Sequence, residues 1–281
     1  MRVGDVELAV RVTGSGPPLL LLHGYPQTHR MWDAVVPALA AHRTVVLPDL
    51  RGYGDSSRPA GGAAAYAKRV MAADVARLMT ELGYDRFDVA GHDRGGRVTH
   101  RLCLDHPDRI GRAAVLDIVP TRHVFAHADR ELGLAYYHWF FLAQPEGLPE
   151  KVISSDPDFW VRHHLGAWSR VPDAFAEDAV AEYVWAFRDP DVVRATCDDY
   201  RAGASVDLEH DDASYAAGER VRCPLLVLWG GQGFVAAKYD VPAVWRDYAT
   251  DVTAAALDCG HFLPEERPTE TATALLAFLT G

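Results

Sequence analysis

FDVAGHDRGGRV, residues 87–98, decides how this chain is read. A short apolar run ends in Gly91-His92-Asp93-Arg94-Gly95, and a helix-compatible stretch follows. This is the G-x-S-x-G nucleophile elbow with aspartate in the serine position. The turn is tight and the following helix packs close to the strand, so both flanking positions call for glycine. The elbow lifts the Asp93 side chain to the top of a sheet, above a helix N-terminus that favours negative charge. The exchange of Ser for Asp selects the chemistry. A serine attacking a saturated carbon would form an ether, which water does not readily cleave. An aspartate attacking the same carbon forms an ester, whose own carbonyl water can attack. Asp93 also needs no base to ionise it at neutral pH.

Working outward, further apolar runs lie at Pro18–Leu22 and at 44–47, 87–90, 113–116, 224–229 and 253–257. Each ends at or near a Gly, Asp or His, and helical stretches separate them. Buried parallel strands have this form and carry functional residues at their C-terminal ends. The alternation stops between about 120 and 218, where aromatic residues at helical spacing replace strand patterns. The expected fold is a mostly parallel sheet flanked by helices. Residues 1–119 and 218–281 form its two parts, 120–217 an inserted helical cap over the strand ends, and 61–65 a small-residue loop.

An ester at Asp93 requires a general base. Of 13 histidines, His261 follows the last predicted strand, where the elbow architecture places its base. The strand PLLVLWG continues Gly230-Gly231-Gln232-Gly233-Phe234, without a carboxylate. The preceding strand ends at Asp117, which is assigned as the acid orienting His261. The His23-Gly24-Tyr25-Pro26 loop supplies one backbone N–H, that of Tyr25, to an oxyanion site. Arg94 supplies the other. Arg94 and Arg97 stand three apart on one helix face, beside the nucleophile, and are expected to grip a substrate carboxylate. Arg101, a turn deeper, reads as a structural ion-pair partner.

Composition narrows the function. A formal charge of -11 disfavours nucleic acid as a partner and repels anions, so an anionic substrate requires a local positive pocket. The N-terminus alternates polar and apolar residues without a secretory core, and no apolar run approaches membrane-spanning length. Cys103, Cys197, Cys223 and Cys259 are scattered, as suits a reducing, cytoplasmic setting. His163-His164 has no further ligand at metal spacing, and the chemistry requires neither metal nor cofactor.

HGYPQTHRMW (23–32), DLRGYGDSSRP (49–59), GHDRGGRVTHRL (91–102), YHWFFLAQP (137–145), DYRAGA (199–204) and GHFLPEERP (260–268) together resemble the fluoroacetate/haloacetate dehalogenases of the α/β-hydrolase superfamily. DLRGYGDSS is common among α/β-hydrolases. GHDRG followed by Arg97, with YHW in the lobe, is far more specific. The resemblance implies an α/β-hydrolase fold and Asp93, His261 and Asp117 as the catalytic set. It implies Arg94 and Arg97 at the substrate carboxylate and His138, Trp139 and Tyr200 around the halide. It also implies a homodimer. An imidazole N–H, an indole N–H and a phenol O–H suit a poor leaving group such as fluoride. The family usually has Phe where Tyr25 stands, so the extra hydroxyl is expected to alter the size or polarity of the pocket. The expected reaction converts a haloacetate to glycolate and halide. The alternatives are an epoxide hydrolase drawing on Tyr136, Tyr137, Tyr183 or Tyr200, and a non-catalytic receptor of the same fold.

Overall fold

The computed structural model describes residues 1–280. Its centre is a seven-stranded sheet in the order β3-β5-β4-β6-β7-β8-β9. The strands are β3 (Val10–Gly14), β4 (Pro18–Leu22), β5 (Thr44–Pro48), β6 (Phe87–His92), β7 (Ile110–Leu116), β8 (Leu225–Gly230) and β9 (Val252–Leu257). All neighbours pair in parallel except β3, which runs antiparallel to β5. All six apolar runs are strands of this sheet. The N-terminal alternation adds two elements that hydrophobicity did not announce. These are β3, only partly buried, and a hairpin of β1 (Arg2–Val3) with β2 (Val6–Glu7).

Four positions of β4, and nearly all of β6 and β8, are buried, as expected for strands covered on both faces. The covering helices on the N-terminal side are α1 (Val36–Ala40), α2 (Gly62–Ala65), α3 (Lys68–Glu81) and α4 (Arg94–Asp105). Helix α4 packs on β6, on β7 and on α3. Helix α2 corrects the expectation of a loop at 61–65. Three successive alanines favour one helical turn once Gly61 and Gly62, both at positive φ, have turned the chain.

Eight helices and no strand lie between β7 and β8. They are α5 (Thr121–Ala126), α6 (Arg130–Ala135), α7 (Tyr137–Leu142), α8 (Leu148–Ser155), α9 (Pro157–Trp168), α10 (Glu177–Phe187), α11 (Pro190–Gly203) and α12 (Val206–Ala216). Helices α13 (Phe234–Lys238), α14 (Val241–Tyr248), α15 (Leu263–Glu266) and α16 (Pro268–Thr280) complete the chain. The insertion is anchored to the core by buried charge. Asp199 of α11 accepts bonds from Lys68 of α3 and from the Tyr53 hydroxyl (2.7 Å), and Asp207 of α12 pairs with Lys68 at 3.3 Å.

Candidate active site

The turn from β6 into α4 places Asp93 at the helix N-cap with φ 45° and ψ −113°. A side chain rarely tolerates such a backbone, and this strain is typical of residues held for a task. The glycines make it feasible. A Cβ on Gly91 would stand 2.3 Å from the Gly95 carbonyl oxygen, and one on Gly95 would stand 2.5 Å from those of Leu22 and His23. Asp93 is buried, and one of its oxygens, Oδ2, accepts the Tyr25 N–H at 3.1 Å. Burial alone would raise the Asp93 carboxyl. The charge of His261, followed by Arg94 and Arg97, outweighs it and holds the group below the usual carboxylate range.

His261, beyond the end of β9, donates Nδ1–H to Asp117 Oδ2 at 2.6 Å. Asp117 follows β7, and its Oδ1 accepts the Gly230 N–H at 2.9 Å. The His261–Asp117 hydrogen bond fixes the imidazole tautomer, leaving Nε2 as the basic nitrogen. Burial pulls the His261 pKa down, but the hydrogen bond and charge of Asp117, and then the charge of Asp93, raise it above the ordinary histidine value. His92 is neutral, with burial driving it down to about 3, and it donates Nε2–H to the His261 carbonyl at 2.8 Å.

The two arginines differ more than their shared face suggests. Arg94 gives Nε and Nη2 to the Asp199 carboxylate (2.9 and 3.0 Å) and Nη2 also to the Asp199 carbonyl (2.9 Å). Its guanidinium lies 4.2 Å from the Tyr200 ring centre. Arg97 forms no ion pair among the described residues, although it is only 5% exposed. Its Nη1 donates to the Val119 carbonyl and the Thr121 hydroxyl, both at 3.0 Å, while Nε has no partner. The Arg97 guanidinium stacks on Trp139 at 4.4 Å. Arg101 is held by Asp105, Asp211 and Ser214, away from the pocket.

Asp93, Asp117 and His261 line a cavity together with Tyr136, His138, Trp139, Trp168, Arg170 and Phe234. Strand ends of the core thus face side chains of the insertion. His138 and Tyr200 are buried with ring centres 5.8 Å apart, and Trp139 lies 6.3 Å from Tyr200. His138 Nδ1 and the Tyr200 hydroxyl have no partner. Burial, and then neighbouring histidines and arginines, lowers the His138 pKa, so its imidazole is neutral. Burial, and then the Asp93 charge, raises the Tyr200 phenol, so it remains a donor. Tyr137 and Tyr183 are occupied elsewhere, by His164 and Glu265. Tyr25 is fully buried, and its hydroxyl accepts the Trp160 Nε1–H of α9. The additional oxygen therefore joins core to insertion and is not among the groups lining the cavity.

Sequence reasoning missed three groups here. Asp199, Lys68 and Glu266 are ordinary surface residue types; Asp199 and Lys68 lie far in the chain from the groups they hold, and Glu266 lies far from Arg170. The one available signal was their presence inside the quoted motifs, for Asp199 in DYRAGA and for Glu266 in GHFLPEERP.

The α/β hydrolase fold family matches residues 17–268. The chain is 45% identical to a fluoroacetate dehalogenase of Burkholderia sp, over 99% of this chain and 92% of that protein. It is 37% identical to a soluble epoxide hydrolase of Corynebacterium sp. (strain C12), over 91% of this chain and 87% of that protein. Among solved structures it is similar to the ALR0039 protein of Nostoc sp PCC 7120, with TM-score 0.98, 51% identity and coverage of 100% and 96%.

Proposed function

The chain belongs to the α/β-hydrolase fold family, and from that premise we propose that it hydrolyses the carbon–halogen bond of a haloacetate, giving glycolate and halide. The observation that carries this reading is Arg97, a buried guanidinium beside the nucleophile with no carboxylate partner of its own. A buried cation with no direct ion pair, met only through space by Asp93, is costly, and a bound carboxylate supplies the missing contact. The similarity to a fluoroacetate dehalogenase supports the same substrate class.

The substrate carboxylate docks on the free side of Arg97, with Arg94 adjoining. The free oxygen of Asp93 attacks the α-carbon, and the carbon–halogen electron pair leaves with the halide. His138, Trp139 and Tyr200 receive the halide. Water then attacks the Asp93 ester carbonyl while His261 Nε2 takes its proton. The Tyr25 N–H, already on Oδ2, and the Arg94 N–H stabilise the oxyanion. Collapse breaks the bond between the ester carbonyl and the alkoxide oxygen. The alkoxide recovers the proton from His261, and Asp93 is regenerated. Asp117 holds the imidazolium throughout. Residues 120–217 act as the cap, and the enzyme works in the cytoplasm as a homodimer without a cofactor. Among the described residues no helix is long and apolar enough to cross a membrane.

Single turnover of chloroacetate in heavy-oxygen water tests the mechanism. One labelled oxygen should appear in the peptide containing Asp93, and Asp93→Ala should release no chloride. Label found only in glycolate would exclude the ester. A second reading, epoxide hydrolysis, is favoured by Tyr136 in the cavity lining, by the partnerless Tyr200 hydroxyl and by the second relative. It leaves Arg97 without an ion pair, and parallel assays on styrene oxide and chloroacetate separate the two.

A further inference from the structure

Glu266 is 3% exposed and forms no ion pair among the described residues. Its charge is met by backbone amides alone. Oε2 accepts the N–H of Gly260 at 2.8 Å and of Arg170 at 2.7 Å, and Oε1 accepts the N–H of Phe262 at 2.8 Å. Gly260 and Phe262 flank His261, and the His261 N–H itself donates to the Trp168 carbonyl at 3.1 Å. Three successive amides of the base-bearing loop are therefore fastened, two by Glu266 and one by the C-terminus of α9. Through Arg170 the same carboxylate grips that segment of the insertion. Charge-assisted bonds of this length are the strong, directional kind. Asp117 fixes the imidazole ring, whereas Glu266 fixes the main chain from which the ring projects.

We propose that Glu266 is a positioning residue chiefly for the second half of the reaction, seating His261 against the Trp168–Arg170 segment so that Nε2 reaches the hydrolytic water. The inference rests on the ester mechanism above. Asp93 displaces halide without a base, and Arg94 and Arg97 also favour its ionised form, so a shift of His261 affects carbon–halogen cleavage far less than ester hydrolysis. Hydrolysis of the ester needs Nε2 in place, and a displacement near 1 Å costs about 100-fold.

Glu266→Gln tests this, since its amide nitrogen cannot accept the N–H it would face. Rapid-quench measurement of chloride released from chloroacetate should show a first turnover at close to the wild-type rate and an amplitude near one per active site. The steady rate should then be reduced about 10- to 100-fold, with enzyme carrying one carboxymethyl group visible by intact mass. If both phases slow by the same factor, or neither slows, the assignment is overturned. Should Glu266→Gln not fold, Glu266→Asp, which keeps the charge one methylene back, is judged by the same criterion. Absence of chloride from the wild-type enzyme would instead overturn the dehalogenase reading itself.

Discussion

Replacing Arg97 by methionine isolates the charge proposed to receive the substrate carboxylate. Arginine carries five N–H donors. Two of them, on Nη1, are spent on Val119 and Thr121, and Nε is unpartnered. The Nε and Nη2 edge is a ready fork for a carboxylate. Two bonds to a charged group contribute about 1.5–3 kcal/mol each. Even the lower sum, about 3 kcal/mol, corresponds to more than 100-fold in kcat/KM, because about 1.4 kcal/mol is tenfold. Methionine keeps an apolar contact with Trp139 and removes the charge. The fold should tolerate the change, since a buried cation without an ion pair disappears together with its two hydrogen bonds to neutral acceptors. A thermal melt checks that. Halide release from chloroacetate should fall by about 100-fold or more, while release from the neutral analogue chloroacetamide should change by only a few-fold. An equal drop for acid and amide would show that Arg97 does not recognise the carboxylate.

Asp199→Asn removes the shared counterion of Arg94 and Lys68 and should cost about 3–5 kcal/mol of stability. Denaturant titration reads this directly, and a loss within about 1 kcal/mol would mean that the pairing is not what holds the insertion down. His261 in the free enzyme should titrate above 6.5 by nitrogen-15 NMR, because the hydrogen bond and charge of Asp117 and the charge of Asp93 outweigh burial. Its contribution to stability is then complete below the unfolded value and vanishes as pH climbs through the folded one. In Asp117→Asn the midpoint should drop, and an unchanged midpoint would contradict the assigned cause. Glu265, between Gln27 and Tyr183, is pushed up to about 8 by burial despite those two donors. Folding therefore binds a proton between about 4.5 and 8, and stability should decline with rising pH across that window. Glu265→Gln should flatten the melting-temperature profile there, and an identical slope in both proteins would rule Glu265 out as its source.

What the sequence exposes is whatever a short stretch decides by itself. The elbow at 91–95 is legible because its two glycines and Asp93 must lie within one tight turn, and the core strands are legible because burial on both faces leaves uninterrupted Leu and Val. The edge strand β3 escapes because it is mostly solvated, and the β1–β2 hairpin because two-residue strands have no period. Arg94 follows Asp93 directly in the chain, yet its guanidinium is largely taken by Asp199. The carboxylate that takes it lies 105 residues away in the chain. Glu266 reaches 96 residues back to Arg170. Such pairings are fixed by tertiary packing, and no local pattern announces them.

The Lys68–Asp199–Arg94 cluster bears on how this architecture can be re-engineered. The counter-charge of Arg94, next to Asp93, comes from the helices between β7 and β8, and the lysine that shares it comes from the core. A chimaera that exchanges only the inserted helices with those of a relative risks stranding one cation or the other in the dry interior. Recombination breakpoints in this protein are better chosen so that α3 and α11 travel together.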